Sequence, residues 1–200
     1  MRSLVAGVSA LLLLQSGAVR AQETTPPPSQ DLPDVSAPKT RAERLDDLFA
    51  QLKRERNEKR AERIAARIWQ EWNRSGSAIT DLMMRWSQEA IEKKKFDAAL
   101  DFLDQVVTLA PSYAEGWNRR ATVHYMMHNY RKSMADIEKT LELEPRHFGA
   151  LSGLAEIMKE RGRKQLALQA YERILAVYPM MRRAQEAVGK LSEDLTGDAI

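Results

Sequence analysis

The chain has 200 residues, with 31 basic and 28 acidic side chains and no cysteine. The lack of cysteine excludes a disulfide framework and thiol chemistry. The near balance of charge gives no reason to expect nucleic acid as a partner, because domains that bind nucleic acid are usually strongly basic on one face.

Residues 1–21 have the pattern of a secretory signal peptide. Arg2 supplies a positive start, residues 4–14 are mainly apolar, and Val19-Arg20-Ala21 forms a small-residue cleavage site. We expect cleavage after residue 21, which would leave 29 basic against 28 acidic residues. The alternative is an uncleaved leader that anchors the protein in a membrane, although the apolar stretch is short for a span.

Residues 22–39 are polar and rich in proline, with the sequence QETTPPPSQDLPDVSAPK. Such a segment has too few apolar side chains to form a packed core. It predicts a disordered or polyproline-like spacer between the leader and the folded part of the chain.

Residues 40–76 predict an N-terminal helical cap. One apolar stripe contains Leu45, Leu48, Phe49 and Leu52, and a second contains Ile64, Ala65, Ile68, Trp69 and Trp72. The polar segment 53–60 separates the stripes, so we expect a helical hairpin that covers the open end of the repeats that follow. One continuous helix is the alternative, because the break contains neither proline nor glycine.

A period of 34 residues runs through the rest of the chain. Pro111, Pro145 and Pro179 recur at this interval, and each follows a run of mainly apolar residues. Such a period is typical of stacked helical hairpins. The proline ends the second helix of each unit, because it has no amide donor and disfavours helix at the preceding residue.

Small and apolar side chains keep the same register. With proline as position 32, position 8 holds Ser87, Ala121 and Ala155, and position 20 holds Ala99, Ser133 and Ala167. Apolar residues occupy position 4 (Met83, Trp117, Leu151), position 24 (Leu103, Ile137, Tyr171) and position 28 (Val107, Leu141, Leu175). This pattern predicts two antiparallel helices that approach closely and bury one face each.

Residues 80–181 resemble three tetratricopeptide repeats (TPRs), at 80–113, 114–147 and 148–181. The middle copy carries the resemblance best, reading AEGWNRRATVHYMMHNYRKSMADIEKTLELEP. The copies depart from the family pattern at position 15, where only Gly162 has the usual glycine, and at position 7, where Arg120 replaces leucine. Residues 182–196 repeat the first-helix pattern once more and predict a C-terminal capping helix. The expected fold is therefore an all-α solenoid with helical caps at both ends.

No residue pattern indicates catalysis. The sequence has no phosphate-binding glycine loop and no nucleophile elbow, and its carboxylates lie among lysines and arginines as on a hydrated helix surface. His124 and His128 have a spacing that chelates metals, but position 124 packs between helices in this repeat. We expect no enzyme activity, no metal site and no cofactor.

The resemblance implies a concave groove lined by positions 2, 5, 9, 12 and 13 of each first helix. Here these are Asp81, Met84, Gln88, Ile91 and Glu92, then Glu115, Asn118, Thr122, Tyr125 and Met126, then Gly149, Ser152, Glu156, Lys159 and Glu160. The predicted partner contacts are Asp81, Met84, Gln88, Glu115, Asn118, Thr122, Tyr125, Met126, Ser152, Glu156 and Lys159. Ile91 and Met126 have a second interpretation, in which they only cover the neighbouring repeat.

One family activity is not expected. Members that clamp the C-terminal carboxylate of chaperones have Lys, Asn, Asn, Lys and Arg at five groove positions, where this chain has Met84, Gln88, Arg119, Gly149 and Gly153. The sequence therefore predicts an exported, non-enzymatic scaffold that binds another protein or peptide in its groove, in the periplasm of a Gram-negative bacterium. The alternative is a membrane-tethered assembly factor of the cell envelope that retains its leader.

Overall fold

The computed structural model describes residues 38–197, so the predicted leader and nearly all of the spacer lie outside the described residues. Nine helices and no strand form this part of the chain. They are α1 (Arg41–Arg54), α2 (Glu58–Trp72), α3 (Ala78–Glu92), α4 (Phe96–Leu109), α5 (Ala114–Met126), α6 (Tyr130–Leu143), α7 (Phe148–Glu160), α8 (Lys164–Val177) and α9 (Arg182–Gly197). Within residues 38–197, no helix is long and apolar enough to cross a bilayer.

The pairs α3–α4, α5–α6 and α7–α8 are the three repeats, and they confirm the all-α solenoid. The small residues predicted at positions 8 and 20 are at most 2% exposed, which lets the paired helices approach. Ser133 at position 20 donates its hydroxyl to the carbonyl of Ala121 over 2.8 Å. A buried polar group is therefore satisfied where the helices are closest.

Arg120 is stabilised at position 7 by two carboxylates. Its guanidinium lies 2.7 Å from Asp136 of α6, which is buried, and 2.9 Å from Asp104 of α4, which is exposed. Both carboxylates raise the pKa of Arg120, and the hydrogen bond to Asp136 has the largest effect. The ion pair with Asp104 joins repeat 2 to repeat 1, at a position where the family pattern has a leucine.

The first helix of each repeat ends in a left-handed residue at position 15. Lys94, His128 and Gly162 have φ values of 55°, 58° and 67°. In each case the next amide donates to the carbonyl five residues earlier, at 2.8 Å, as in a Schellman motif. Only Gly162 adopts this backbone without steric cost, because an L side chain crowds the carbonyl in the left-handed region.

Residues 41–72 form two helices and not one. The break needs neither proline nor glycine, because Asn57 caps α2 by accepting a hydrogen bond from the amide of Arg60 at 3.0 Å. Thr40 and Glu43 form a capping box at the start of α1. We call α1 and α2 together the N-terminal hairpin.

The sequence predicts that the N-terminal hairpin covers the open end of repeat 1. In the structure the hairpin does not cover it. The residues buried by α1 and α2 belong to one core with Phe148, Leu151 and Tyr178 of the third repeat. The core between repeats 1 and 2, around Leu103 and Val123, contains no residue of the hairpin. The hairpin therefore lies along the edge of the array where α7 begins and α8 ends.

Aromatic and charged contacts explain this location. The ring of Trp72 stacks on His147, with centroids 3.9 Å apart and planes 11° apart. Trp69 lies against α7 at Gly149, where a Cβ atom would come within 2.6 Å of the indole ring. Arg146 pairs with Asp46 at 2.7 Å. None of these partners exists at the start of repeat 1, so the apolar stripes of the hairpin bury themselves against repeat 3 instead.

We predict that Lys94→Gly stabilises the protein. The substitution removes the cost of a left-handed lysine, so the free energy of unfolding should rise by about 0.5–1 kcal/mol. Gly162→Ala is the matched change in the opposite direction, and it should lower the free energy of unfolding. Its Cβ would meet no atom within 4 Å, so only the backbone conformation opposes it. Urea unfolding followed by circular dichroism measures both, and a destabilised Lys94→Gly variant would contradict the interpretation.

Candidate partner-binding groove

The first helices α3, α5 and α7 present the predicted groove, but not every predicted residue reaches its surface. Gln88, Thr122, Met126 and Lys159 are exposed, and Tyr125, Ser152 and Glu156 are half-buried. Asp81 accepts hydrogen bonds from the amide and hydroxyl of Ser75, at 3.0 and 2.6 Å, and so holds the turn before α3.

Three predicted contact residues are buried, and this corrects the sequence-based groove. Met84, Glu115 and Asn118 are 4%, 3% and 9% exposed. Met84 packs into the core between the first two repeats. Glu115 accepts from Asn118 at 2.9 Å and pairs with Arg119 at 3.2 Å.

The N-terminal hairpin explains why this end of the groove is closed. Arg119 donates to the side-chain oxygen of Asn73, just beyond α2, at 2.9 Å, and to the carbonyl of Met84 at 3.2 Å. His147, which stacks on Trp72, lies 3.3 Å from the carboxylate of Glu115. The first turns of α5 and α7 are therefore covered by the end of α2 and the residue after it.

What remains open is a cleft of about 210 Å³ between α5 and α7. Its lining includes the small residues Ala121, Ala150, Gly149 and Gly153 with the side chain of Ile137, and the polar residues Thr122, Tyr125, Ser152, Glu156 and Arg183. A Cβ atom at Gly153 would meet only the end of Ile137, at 3.4 Å. The floor is therefore made mainly of small residues, and it has room for an added side chain at Gly153.

Glu156 holds the centre of the polar rim. It accepts from the hydroxyl of Tyr171 at 2.6 Å and pairs with Arg183 and Lys159, each at 3.0 Å. Burial opposes ionisation of this carboxyl. The hydrogen bonds from Tyr171 and Lys159, with the nearby positive charges, outweigh burial and hold its pKa below the usual value.

Glu160 is a second carboxylate beside the cleft. It accepts a hydrogen bond from the hydroxyl of Tyr125, and the hydroxyls of Tyr125 and Tyr130 lower its pKa. The same bond raises the pKa of Tyr125 to about 12. Both carboxylates are therefore ionised at neutral pH. Glu156 lines the cleft, and Glu160 lies beside it, hydrogen-bonded to the lining residue Tyr125.

His124 and His128 lie in different environments. His124 is buried, which lowers its pKa, whereas His128 is exposed and its Nδ1 lies 2.8 Å from the hydroxyl of Tyr130. Across residues 38–197, no cluster of three metal-ligating side chains occurs.

Sequence reasoning missed Arg183 as a groove residue and considered Gly153 only as a position of the carboxylate clamp. Arg183 comes from the capping helix α9. The signal for the cleft was present as Gly149 and Gly153, one helical turn apart on α7. Two glycines inside a helix are costly unless something lies close to the backbone.

The chain resembles other repeat proteins in sequence. It is 56% identical over 163 residues to a TPR repeat-containing protein of Rhizobium etli, covering 82% of this chain and 78% of that protein. The chain belongs to the TPR family. No family model matches it.

Solved TPR domains share the fold at low sequence identity. The Sgt2 TPR domain from Aspergillus fumigatus superposes with a TM-score of 0.56 at 17% identity, over 62% of this chain and 83% of that domain. The first TPR domain of Spaghetti (RPAP3), solved with the HSP90 peptide SRMEEVD, gives 0.55 at 18% identity over 58% and 93%. The family is in general a non-enzymatic scaffold for protein–protein interactions, and this is the function class that the relatives support.

Proposed function

We propose that this TPR protein is a non-enzymatic periplasmic scaffold that binds a peptide or protein segment in the cleft between α5 and α7. The observation that carries the proposal is the combination of a floor of small residues with an ionised carboxylate at its rim, Glu156, and a second one, Glu160, beside it. A small-residue floor lets another backbone or an apolar side chain approach α7 closely. Few polar groups at the rim then fix the orientation of the bound segment.

The chemistry of the cleft suggests the kind of segment that fits. The apolar part of the floor, with Ile137 below Gly153, would take an apolar anchor. Glu160 accepts hydrogen bonds from two neutral tyrosine hydroxyls, which leave its negative charge in place, so a basic side chain of the partner would gain an ion pair there. An extended peptide, or one face of a helix, with one apolar and one basic residue meets both requirements.

The binding mode differs from a carboxylate clamp. Arg119 is the cationic residue among the five clamp positions, and it is engaged with Glu115 and Asn73. Gly149 and Gly153 provide no charge where the third repeat of a clamp has its two basic residues. The partner is therefore recognised through side chains of the segment and not through a free C-terminal carboxylate.

We predict that Gly153→Leu abolishes partner binding without unfolding the protein. The leucine would fill the cleft, and leucine is a better helix former than glycine by about 1 kcal/mol. A photocrosslinking phenylalanine analogue at Tyr125, used in the producing cells, should give one dominant protein adduct, and Gly153→Leu should remove it.

Gly189→Leu is the control for this experiment. It makes the same change on α9, where a Cβ meets no atom within 4 Å, and it should leave the adduct unchanged. An adduct that survives Gly153→Leu would place binding outside the cleft. Adducts only from an analogue at Glu138, an exposed residue of α6, would have the same meaning.

The periplasmic part of the proposal rests on the leader pattern in residues 1–21. We expect the mature protein to begin at Gln22, because cleavage follows the small-residue site. Intact mass measurement of the protein recovered from the cell envelope and the periplasmic fraction tests this. A chain that retains residues 1–21 and sediments with membranes would instead favour the tethered assembly factor.

A further inference from the structure

Repeat 1 carries an apolar surface that nothing in residues 38–197 covers. It consists of Ile79, Leu82 and Trp86 on α3 and Phe102 on α4, and we call it the end face. Ile79 is 60% exposed and Trp86 43%, and the Trp86 and Phe102 rings lie 5.5 Å apart. The three α3 residues recur three and four apart, so they form one stripe along the helix.

The equivalent positions of the other repeats are buried or half-buried. Tyr113 and His147, one and two repeats after Ile79, are only 4% and 0% exposed. At the position of Trp86, Arg120 reaches back to Asp104 on α4. The end face is therefore the surface on which a preceding helical hairpin would stack, and the N-terminal hairpin lies elsewhere.

The rim of the end face is charged, unlike the inside of the array. A cleft of about 360 Å³ between Trp86 and Phe102 is edged by Glu89, Lys93 and Lys95. One repeat later, the residue equivalent to Glu89 is Val123, which is fully buried. An aromatic centre with a polar rim is the usual composition of a surface that is wet in the free protein and buried in a complex.

We propose that a second copy of this chain docks on the end face about a two-fold axis that brings the two Trp86 side chains together. The end face of another copy presents the same exposed apolar side chains, Ile79 and Trp86, so the two faces can bury each other. Glu89 and Lys93 lie one helical turn apart on the rim, so a two-fold axis can place the acid of each copy beside the lysine of the other. Contact between identical faces also closes the assembly at two subunits.

Sedimentation equilibrium of the purified protein, without any partner, tests the proposal. We expect a monomer–dimer equilibrium between about 1 and 200 μM that weakens with salt. Trp86→Arg should weaken the dimer by about 30-fold, as expected for a central aromatic contact. Leu166→Arg is the matched control, because Leu166 is 48% exposed on α8, and it should change nothing.

Exchanging the charges of Glu89 and Lys93 distinguishes the two-fold contact from other contacts. This test does not depend on whether Trp86→Arg folds. Glu89→Lys and Lys93→Glu should each weaken the dimer, and the double variant should restore it. A protein that stays monomeric at 200 μM overturns the proposal and leaves the end face to a different partner. Assemblies that grow beyond two subunits, or a double variant as weak as the single ones, overturn the two-fold arrangement.

Discussion

The stacking of Trp72 on His147 determines how the rest of the molecule is arranged. The stack, 3.9 Å between ring centroids, holds the N-terminal hairpin against the third repeat. It also requires Gly149, since any side chain there would collide with Trp69. The docking of the hairpin has two consequences. The hairpin closes one end of the concave groove, and it cannot cover repeat 1. The open cleft and the exposed end face both result from this one docking contact.

Much of the repeat array could be predicted from the residues, because its contacts are local. Position 8 and position 20 lie in two helices joined by a short turn, so a small residue in both, such as Ala121 with Ser133, predicts their contact directly. The proline at position 32 acts through the backbone of its own helix. The left-handed turn at position 15 follows from helix geometry even where the residue is Lys94.

The hairpin and the groove could be predicted only in part, because they depend on contacts between distant parts of the chain. The apolar stripes of α1 and α2 indicate that two faces are buried, but they do not indicate which part of the chain packs against them. The burial of Glu115 and Asn118 follows from Arg119 and Asn73, which meet only after the hairpin has docked. Family positions describe a groove that is open at this end, and here the end of α2 covers it.

Hydrogen exchange measured by mass spectrometry on wild type and Gly149→Leu tests this account most directly. If the hairpin is part of the same folding unit as repeat 3, the amides of α1 and α2 should be protected to within about tenfold of those in α7. Gly149→Leu should remove that protection while α3 and α4 keep theirs, and Gly153→Leu should leave all of it intact. Unprotected amides in α1 and α2 of the wild-type protein, beside a protected α7, would contradict the docked hairpin and everything derived from it.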